Sequence, residues 1–240
     1  MATVYLIPSP LHDEGMDSLP AYIINAIKEC HIFFVENERT TRRFLKRLWK
    51  QSLPGQVLNI DEYEWVNMTD SPTAADIFKT HLKRNETIGI ISEAGCPGVA
   101  DPGQVLVELA HQLNAAVKPL VGPSSIMLAL MASGMNGQRF QFLGYLPIEN
   151  QQRIRAIKEM ESESLKKKCT QIFIETPYRN NQLIEALLNT CKPSSKLCIA
   201  VNLTGKNEWI KTRTISAWQK EKPDIHKRPA IFLLYGALLD

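Results

Sequence analysis

The sequence lacks a long apolar run, a cysteine cluster and a secretory signal. Its longest apolar stretch, Ile126–Ala132, is far shorter than the roughly 20 residues that a membrane-spanning helix needs. No basic segment precedes the first apolar run, which ends at Pro8. No CxxC pair or zinc-type Cys/His spacing occurs among Cys30, Cys96, Cys169, Cys191 and Cys198. These absences predict a cytoplasmic protein with free thiols, no membrane segment and no metal site.

Neither sign of charge dominates the composition. The chain of 240 residues has 28 lysines and arginines against 25 acidic residues, and this net charge of +3 is too small to indicate a polyanionic partner. Basic residues are nevertheless concentrated at helical spacing on one side of a single predicted helix. These residues are Arg39, Arg42, Arg43, Lys46, Arg47 and Lys50. Such a stripe can bind RNA phosphates, and it can equally be a solvated helix face.

The first half of the chain alternates short apolar strands with helical patterns. Strands are predicted at Val4–Ile7, His31–Val35, Val57–Ile60, Thr87–Ile91 and Ala116–Leu120. Helices are predicted between them at Leu19–Glu29, Thr41–Lys50, Thr73–Arg84 and Gln104–Leu113. This alternation predicts βαβ units and a mostly parallel sheet with flanking helices.

The second half has a different pattern. A predicted hinge at Lys118–Ser125 leads into a helix at Ile126–Met131. Strands at Phe140–Tyr145, Cys169–Glu175, Leu197–Leu203, Glu208–Thr214 and Ala230–Tyr235 accompany helices at Arg153–Leu165 and Asn180–Asn189. The last strands lie close together in sequence, which favours an antiparallel portion. We therefore predict two α/β domains, a Rossmann-like one at residues 1–118 and one with a mixed sheet at residues 119–240.

The most informative segment is Ile90–Gly103, which follows a predicted strand and precedes a predicted helix. Ligands of open α/β sheets bind outside such turns. The glycines and prolines of the segment stiffen the turn and allow close approach to the backbone. It has neither a Gly-rich phosphate fingerprint nor a Lys-Ser/Thr pair. A cofactor without phosphates therefore fits better than a nucleotide triphosphate, although turn chemistry alone also explains the composition.

The segment Glu175–Arg179 occupies the corresponding position in the second half. Pro177 suits the start of a helix and Thr176 suits its N-cap. In an alternative interpretation, the side chains of Glu175 and Arg179 face a ligand-binding cleft.

Six segments in matching order resemble the tetrapyrrole-methylase superfamily, the class III methyltransferases that use S-adenosylmethionine. Within it, they are most similar to the small-subunit rRNA ribose 2′-O-methyltransferases of the RsmI type. The segments are Leu6–Pro10, Val35–Arg43, Ser92–Gly103, Gly122–Ser125, Gly144–Pro147 and Glu175–Arg179. The sequence departs from that pattern at Asn37-Glu38, where the family has Asp-Thr. It departs again at Val201–Gly205, where an Arg-Glu-Leu-Thr-Lys segment has lost two charges.

The resemblance implies a site in a cleft between the two domains. Its implied S-adenosylmethionine contacts are Pro8, Pro10, Leu11, Gly95, Cys96, Pro97, Val99, Ser124, Ser125, Ile126, Thr176, Leu203 and Ala230. No metal is required. A ribose hydroxyl is a poor nucleophile, so we assign Glu36 as the proton acceptor and Arg39 as the group that orients the substrate. Glu93 and Glu175 are the next candidates for the acceptor.

The resemblance also implies rRNA or the small ribosomal subunit as partner and a homodimer as the assembly. Two alternatives remain open at this stage. A methylase of a small tetrapyrrole would not need the basic helix. An RNA-binding relative without catalysis would account for the departures at Asn37 and at Val201-Asn202.

Overall fold

The computed structural model describes residues 1–69 and 71–236. The chain divides into two compact units, Met1–Ser124 and Ser125–Asp240. The division falls within the segment that the sequence indicates as a hinge. None of the described helices is long and apolar enough to cross a membrane.

The first unit is a five-stranded sheet in which every pair of neighbouring strands is parallel, as predicted. The strands lie in the order β3-β2-β4-β1-β5. They are β1 (Thr3–Ile7), β2 (Ile32–Val35), β3 (Glu64–Asn67), β4 (Thr87–Ile91) and β5 (Ala116–Pro119). The helices are α1 (Ile23–Glu29), α2 (Glu38–Ser52), α3 (Ser71–Lys83) and α4 (Gly103–Gln112).

Alternating side chains of these strands form two apolar cores, one on each face of the sheet. Ile7 and Phe33 pack with α1 and α2 on one face. Ile32 and Ile90 pack with α3 and α4 on the other. After β1 and β2, the chain therefore turns toward one face of the sheet. After β4 it turns toward the opposite face. Because β4 lies between β2 and β1, a crevice opens at the carboxyl ends of these three strands, where open α/β sheets bind ligands.

The predicted strand at Val57–Ile60 is wrong. Val57 is 91% exposed, and Ile60 begins a short 3₁₀ helix through which it reaches the core. The strand beside β2 is instead β3, whose Trp65 ring stacks on Phe33 with the ring centroids 5.1 Å apart. This strand lies at the sheet edge and is short and polar at both ends, so it lacks the apolar run by which the other strands are recognised.

The second unit is a mixed five-stranded sheet in the order β6-β7-β10-β8-β9, which confirms the predicted antiparallel portion. Strands β6 and β7 are parallel, and the remaining neighbours are antiparallel. The strands are β6 (Phe140–Tyr145), β7 (Thr170–Ile174), β8 (Lys196–Val201), β9 (Trp209–Thr214) and β10 (Ala230–Tyr235). The helices are α5 (Ser125–Ser133), α6 (Asn150–Lys167), α7 (Asn180–Thr190) and α8 (Ile215–Lys220).

The core of the second unit joins α6, α7 and α8 to one face of its sheet. Phe173 and Phe232 stack there with centroids 5.8 Å apart. Trp218 is almost fully buried, and its indole N–H donates to the Leu197 carbonyl at 2.9 Å. This bond satisfies the one polar group of a large core side chain.

Candidate functional site

A cavity of about 190 Å³ lies in the first unit at the carboxyl ends of β1 and β4, beside the first turns of α2. Three loop and helix segments line it. The lining residues are Ser9, Pro10, Leu11, His12, Asp13, Thr40, Thr41, Phe44, Ser92, Glu93 and Ala94. The cavity occupies the crevice that the strand order creates, so the topology of the sheet positions this site.

The turn after β4 is held rigid by Asp101. Its two carboxylate oxygens accept hydrogen bonds from the backbone N–H groups of Gly98, at 2.8 Å, and Gly103, at 2.7 Å. Gly98 and Ala100 have left-handed backbones, with φ of 83° and 62°. Because Gly103 begins α4, Asp101 supplies a negative charge where a bound phosphate would otherwise sit. The site is therefore unsuited to phosphate binding, in agreement with the missing phosphate fingerprint.

The loops after β1 and β4 are joined by backbone pairing. Ser9 and Gly95 exchange two backbone hydrogen bonds of 2.8 and 3.1 Å. The Ser9 hydroxyl donates to the Ser92 carbonyl at 2.7 Å. Among the predicted cofactor contacts, Gly95 belongs to this pair, and Pro8, Pro10 and Cys96 adjoin it in sequence. The pairing brings the two loops together at one point of the crevice.

The loop after β5 packs against the same two loops. An added Cβ at Gly122 would lie 2.1 Å from the Cβ atom of Pro8. The Cys96 thiol lies 3.5 Å from the carbonyl oxygens of both Gly122 and Pro123. Burial raises the pKa of this thiol, so Cys96 is a packing group rather than a thiolate nucleophile. The structure thus gathers the predicted contacts of three separate loops within the first unit.

Two carboxylates flank the cavity. Glu36 directly follows β2, and its Oε1 accepts a hydrogen bond from the backbone N–H of Glu93 at 2.8 Å. The Glu93 carboxylate accepts one from the Thr40 hydroxyl. Burial raises the pKa of Glu36, and the nearby charges of Asp101 and Glu93 raise it further, whereas the bond from the Glu93 N–H lowers it. A half-buried carboxylate of raised pKa is a suitable proton acceptor near neutral pH.

The first turns of α2 carry the second predicted catalytic residue. Arg39 is exposed and does not line the cavity. Asn37 caps the helix, since its side-chain oxygen accepts a hydrogen bond from the Thr40 N–H at 3.3 Å. Asparagine and aspartate are comparable N-caps, so this departure from the family pattern preserves the local fold.

The basic residues of α2 fall into two groups. Arg42 pairs with Glu38 and Asp61 and lies over the Trp65 ring, so it is a structural cation. Arg47 donates to the Asp13 carbonyl. The exposed residues Arg39, Arg43, Lys46 and Lys50 align along the helix and have no carboxylate within ion-pair distance in the described part of the chain. We call these four residues the basic stripe.

The second unit carries the other predicted contacts. Ser125 and Ile126 begin α5, Thr176 follows β7, Leu203 follows β8, and Ala230 begins β10. Leu203 and Ala230 lie near each other because the backbone N–H of Asn202 donates to the Pro229 carbonyl at 3.0 Å.

Glu175 is a structural residue in this unit. Its Oε1 accepts from Arg179 Nη2 at 2.6 Å and from the Thr176 N–H at 2.7 Å. The predicted N-cap at Thr176 is wrong, because α7 begins only at Asn180 and its N-cap is Arg179. The motif forms a turn instead, in which the Arg179 N–H donates to the Thr176 carbonyl at 2.9 Å.

Three residues of the crevice were missed by sequence reasoning. Ser9 joins two loops, Thr40 contacts Glu93, and Asp101 ties both ends of its turn. The sequence does contain a signal for the role of Asp101, because an Asp-Pro-Gly sequence before a helix is typical of an Asx turn. The other two are single hydroxyl residues whose partners are distant in sequence, and nothing in the local pattern distinguishes them.

Residues 3–218 match the family described as tetrapyrrole (corrin/porphyrin) methylases. Among similar curated proteins, the ribosomal RNA small subunit methyltransferase I of Buchnera aphidicola (Schizaphis graminum) is 29% identical over 96% of this chain and 77% of its own length. The protein of the same name from Vibrio cholerae is 25% identical over 97% of this chain and 77% of its own.

Solved structures of similar fold include the methyltransferase CobJ, with a TM-score of 0.58 and 15% identity over 98% of this chain and 94% of that one. The uroporphyrin-III-C-methyltransferase of Thermus thermophilus has a TM-score of 0.54 and 14% identity, with the same coverage of the two chains. These identities support the fold alone. The family match, which spans most of the chain, together with the relatives, shows that this protein belongs to the tetrapyrrole methylase family and is a methyltransferase.

Proposed function

We propose that the chain transfers a methyl group from S-adenosylmethionine to a ribose hydroxyl of small-subunit rRNA. The basic stripe of α2, whose first residue Arg39 lies three residues after Glu36, is the observation that carries this proposal. The similarity to relatives named ribosomal RNA small subunit methyltransferase I supports the same substrate. We propose that the protein works in the cytoplasm, where such a substrate is found.

The chemistry of the crevice fits S-adenosylmethionine. This cofactor has no phosphate, and the turn after β4 fills its anion-binding position with Asp101. It carries a positive sulfonium, which is stabilised by nearby negative charge, here that of Glu36, Glu93 and Asp101. In the first unit we propose Pro8, Pro10, Leu11, Gly95, Cys96, Pro97, Val99 and Ser124 as its contacts. In the second unit we propose Ser125, Ile126, Thr176, Leu203 and Ala230.

When bound, S-adenosylmethionine supplies an electrophilic methyl group. Our proposed role for Glu36 is to accept the proton of the ribose hydroxyl as that oxygen becomes the nucleophile. The Glu93 N–H fixes one oxygen of Glu36, which leaves the other oxygen for the substrate. Thr40 holds the Glu93 side chain in place. Arg39, exposed on the same helix turn, is proposed to bind a phosphate of the substrate.

Labelled methyl transfer tests this function directly. Small-subunit rRNA from cells lacking the gene is incubated with the purified protein and methyl-labelled S-adenosylmethionine, and the nucleosides are identified by mass spectrometry. We expect one 2′-O-methylated nucleoside to gain the label. Absence of label in rRNA, together with labelling of a porphyrinoid, would show that the substrate is a small tetrapyrrole.

The assembly that we propose is a homodimer, which is the commonest oligomeric class of soluble proteins. Sedimentation of the same preparation at micromolar concentration is expected to give twice the mass of the chain. A monomer under these conditions would contradict the proposal.

Replacing Arg43, Lys46 and Lys50 by glutamine is expected to weaken rRNA binding and to flatten its salt dependence. Each lost phosphate contact reduces the slope of log affinity against log salt by roughly 0.7 to 0.9. Stability is expected to change little, because the three side chains are exposed. Filter binding at several salt concentrations measures the slope.

The matched control for this variant replaces Arg155, Lys158 and Lys166, three exposed residues of α6, and so removes the same charge elsewhere. An unchanged slope in the α2 variant would show that the basic stripe makes no phosphate contact, and an equal change in the control would show only a general charge effect. The RNA hypothesis would then lose its main physical support.

A further inference from the structure

An exposed tyrosine in the second unit is held by contacts that the proposed methyl transfer does not use. Tyr178 is 68% exposed, although a tyrosine ring is largely apolar. His226 meets its edge, with ring centroids 6.1 Å apart and planes at 78°. The Nζ atom of Lys227 lies 5.7 Å from its centroid. The ring is thus fixed in place while most of its surface remains accessible to a ligand.

The backbone of Lys227 is in the left-handed region, with φ of 62°. This conformation is unfavourable for a residue with a Cβ atom. It is maintained because the Lys227 N–H donates to the Pro177 carbonyl at 2.9 Å, which ties the loop before β10 to the residue preceding Tyr178. The strained backbone therefore brings the Lys227 cation to the Tyr178 ring.

The same loop borders a cavity of about 640 Å³. Its residues Pro223, Asp224, Ile225 and Arg228 line the cavity together with Asn202 and the segment 206–209, which includes Trp209. The lining is mainly polar, and the loop residues His226 and Lys227 that contact Tyr178 lie between Ile225 and Arg228 in sequence. A single loop thus joins an exposed aromatic ring, a cation and a polar cavity.

The charged groups of this surface differ in how they are engaged. Asp224 is engaged by Asn181 Nδ2 at 2.8 Å and by the His226 N–H at 3.1 Å, and these bonds lower its pKa. Glu208 accepts from the Thr204 N–H at 2.8 Å. By contrast, Lys227 has no carboxylate within ion-pair distance among the residues that the structure describes. Asp224 and Glu208 remain negative but are held in place by these bonds, whereas the Lys227 ammonium is left to bind an anionic group of a ligand.

We infer that Tyr178, Lys227 and the adjoining cavity bind an unstacked nucleotide of the RNA substrate. The base stacks on the open surface of the Tyr178 ring, and Lys227 binds a neighbouring phosphate. An aromatic ring beside a cation is the usual means of holding single-stranded RNA, because every base offers a face for stacking. This inference rests on the proposed function, and Thr176, a proposed cofactor contact, is two residues from Tyr178 in sequence.

Substitution of the ring tests the stacking. Tyr178→Ala is expected to bind protein-free small-subunit rRNA about tenfold more weakly, as loss of one base–aromatic stack would require. Tyr178→Phe keeps the ring and is expected to stay within about twofold of the wild-type protein. Neither variant should change the salt slope, because no charge is lost. Filter binding measures the affinities, and thermal unfolding checks that both variants remain folded.

Substitution of Lys227 tests the phosphate contact, and a second left-handed lysine of the same unit provides a matched control. Lys227→Gly removes one charge and relieves the left-handed backbone, and it is expected to reduce the salt slope by roughly 0.7. Lys168 is also exposed and left-handed, with φ of 51°, and it ends α6 in the same unit. Lys168→Gly removes the same charge and the same strain away from the proposed surface, so its slope should match that of the wild-type protein.

The outcomes separate this inference from the proposed function. Wild-type protein that neither binds nor methylates rRNA would overturn both. Normal methylation with unchanged affinity in Tyr178→Ala would overturn the inference alone, and so would equal losses in the alanine and phenylalanine variants. Unchanged RNA affinity with an altered sedimentation mass in Tyr178→Ala would identify the surface as a contact with a second copy.

Discussion

Replacing Glu36 by glutamine is expected to reduce the rate of methyl transfer by about a hundredfold or more. Positioned proton acceptors contribute roughly 10²- to 10⁴-fold to catalysis. Glutamine retains a side-chain oxygen that can accept the Glu93 N–H, so the turn and cofactor binding should persist. Glu93 and Asp101 would remain to stabilise the sulfonium, so the expected result is a kcat that falls far more than the Kd for S-adenosylmethionine rises, measured by labelled methyl transfer and by calorimetry.

The pH dependence gives an independent signature of this residue. Only the deprotonated carboxylate accepts a proton, so activity should fall as pH decreases through the pKa of Glu36. Burial, Asp101 and Glu93 raise that pKa above the ordinary glutamate value. The acidic limb of the wild-type profile is therefore expected above the range of an exposed glutamate, and it should be absent from the residual activity of Glu36→Gln.

The matched control is Glu38→Gln, two residues away on the first turn of α2. Glu38 pairs with Arg42 and does not line the cavity, so its loss should leave kcat and the pH profile unchanged. A Glu36→Gln enzyme with wild-type kcat would remove this residue from the chemistry. Glu93 would then be tested next, since its carboxylate lines the same cavity.

The parallel sheet of the first unit was predictable because its three central strands, β1, β2 and β4, are apolar runs buried on both faces. Strand β3 could not be predicted in this way, because its apolar residues Trp65 and Val66 are only partly buried at the edge of the sheet. The preceding Val57–Ile60 segment has more apolar residues but forms no ladder. Local composition therefore identifies central strands well and confuses an edge strand with an apolar loop.

The site was predictable only as a set of loops. The strand-to-helix position of Ile90–Gly103 indicated a ligand-binding turn, and the strand order of the sheet places that turn beside Glu36. The pairing of Ser9 with Gly95 spans more than eighty residues of sequence, so no local pattern reports it. The helical spacing that defined the basic helix also could not separate Arg42, which is committed to Glu38 and Asp61, from the four aligned cations.

Gly122→Ala is expected to destabilise the protein and to weaken S-adenosylmethionine binding at least tenfold. The added methyl group would lie 2.1 and 2.4 Å from the Cβ and Cγ atoms of Pro8. A proline ring cannot rotate away as a flexible side chain can, so the loops after β1 and β5 must separate. Overpacking of this kind typically costs about 1–3 kcal/mol. Denaturant unfolding measures the free energy of unfolding, and calorimetry measures the Kd.

Gly137→Ala is the matched control, because its added Cβ would meet no atom within 4 Å and its backbone is not left-handed. It should retain the stability and the cofactor affinity of the wild-type protein. If Gly122→Ala lost stability yet bound S-adenosylmethionine normally, the close approach of Pro8 and Gly122 would serve the fold alone. Normal binding of that kind would contradict the assignment of Pro8 and Cys96 as cofactor contacts, because both pack against Gly122 and would be displaced with it.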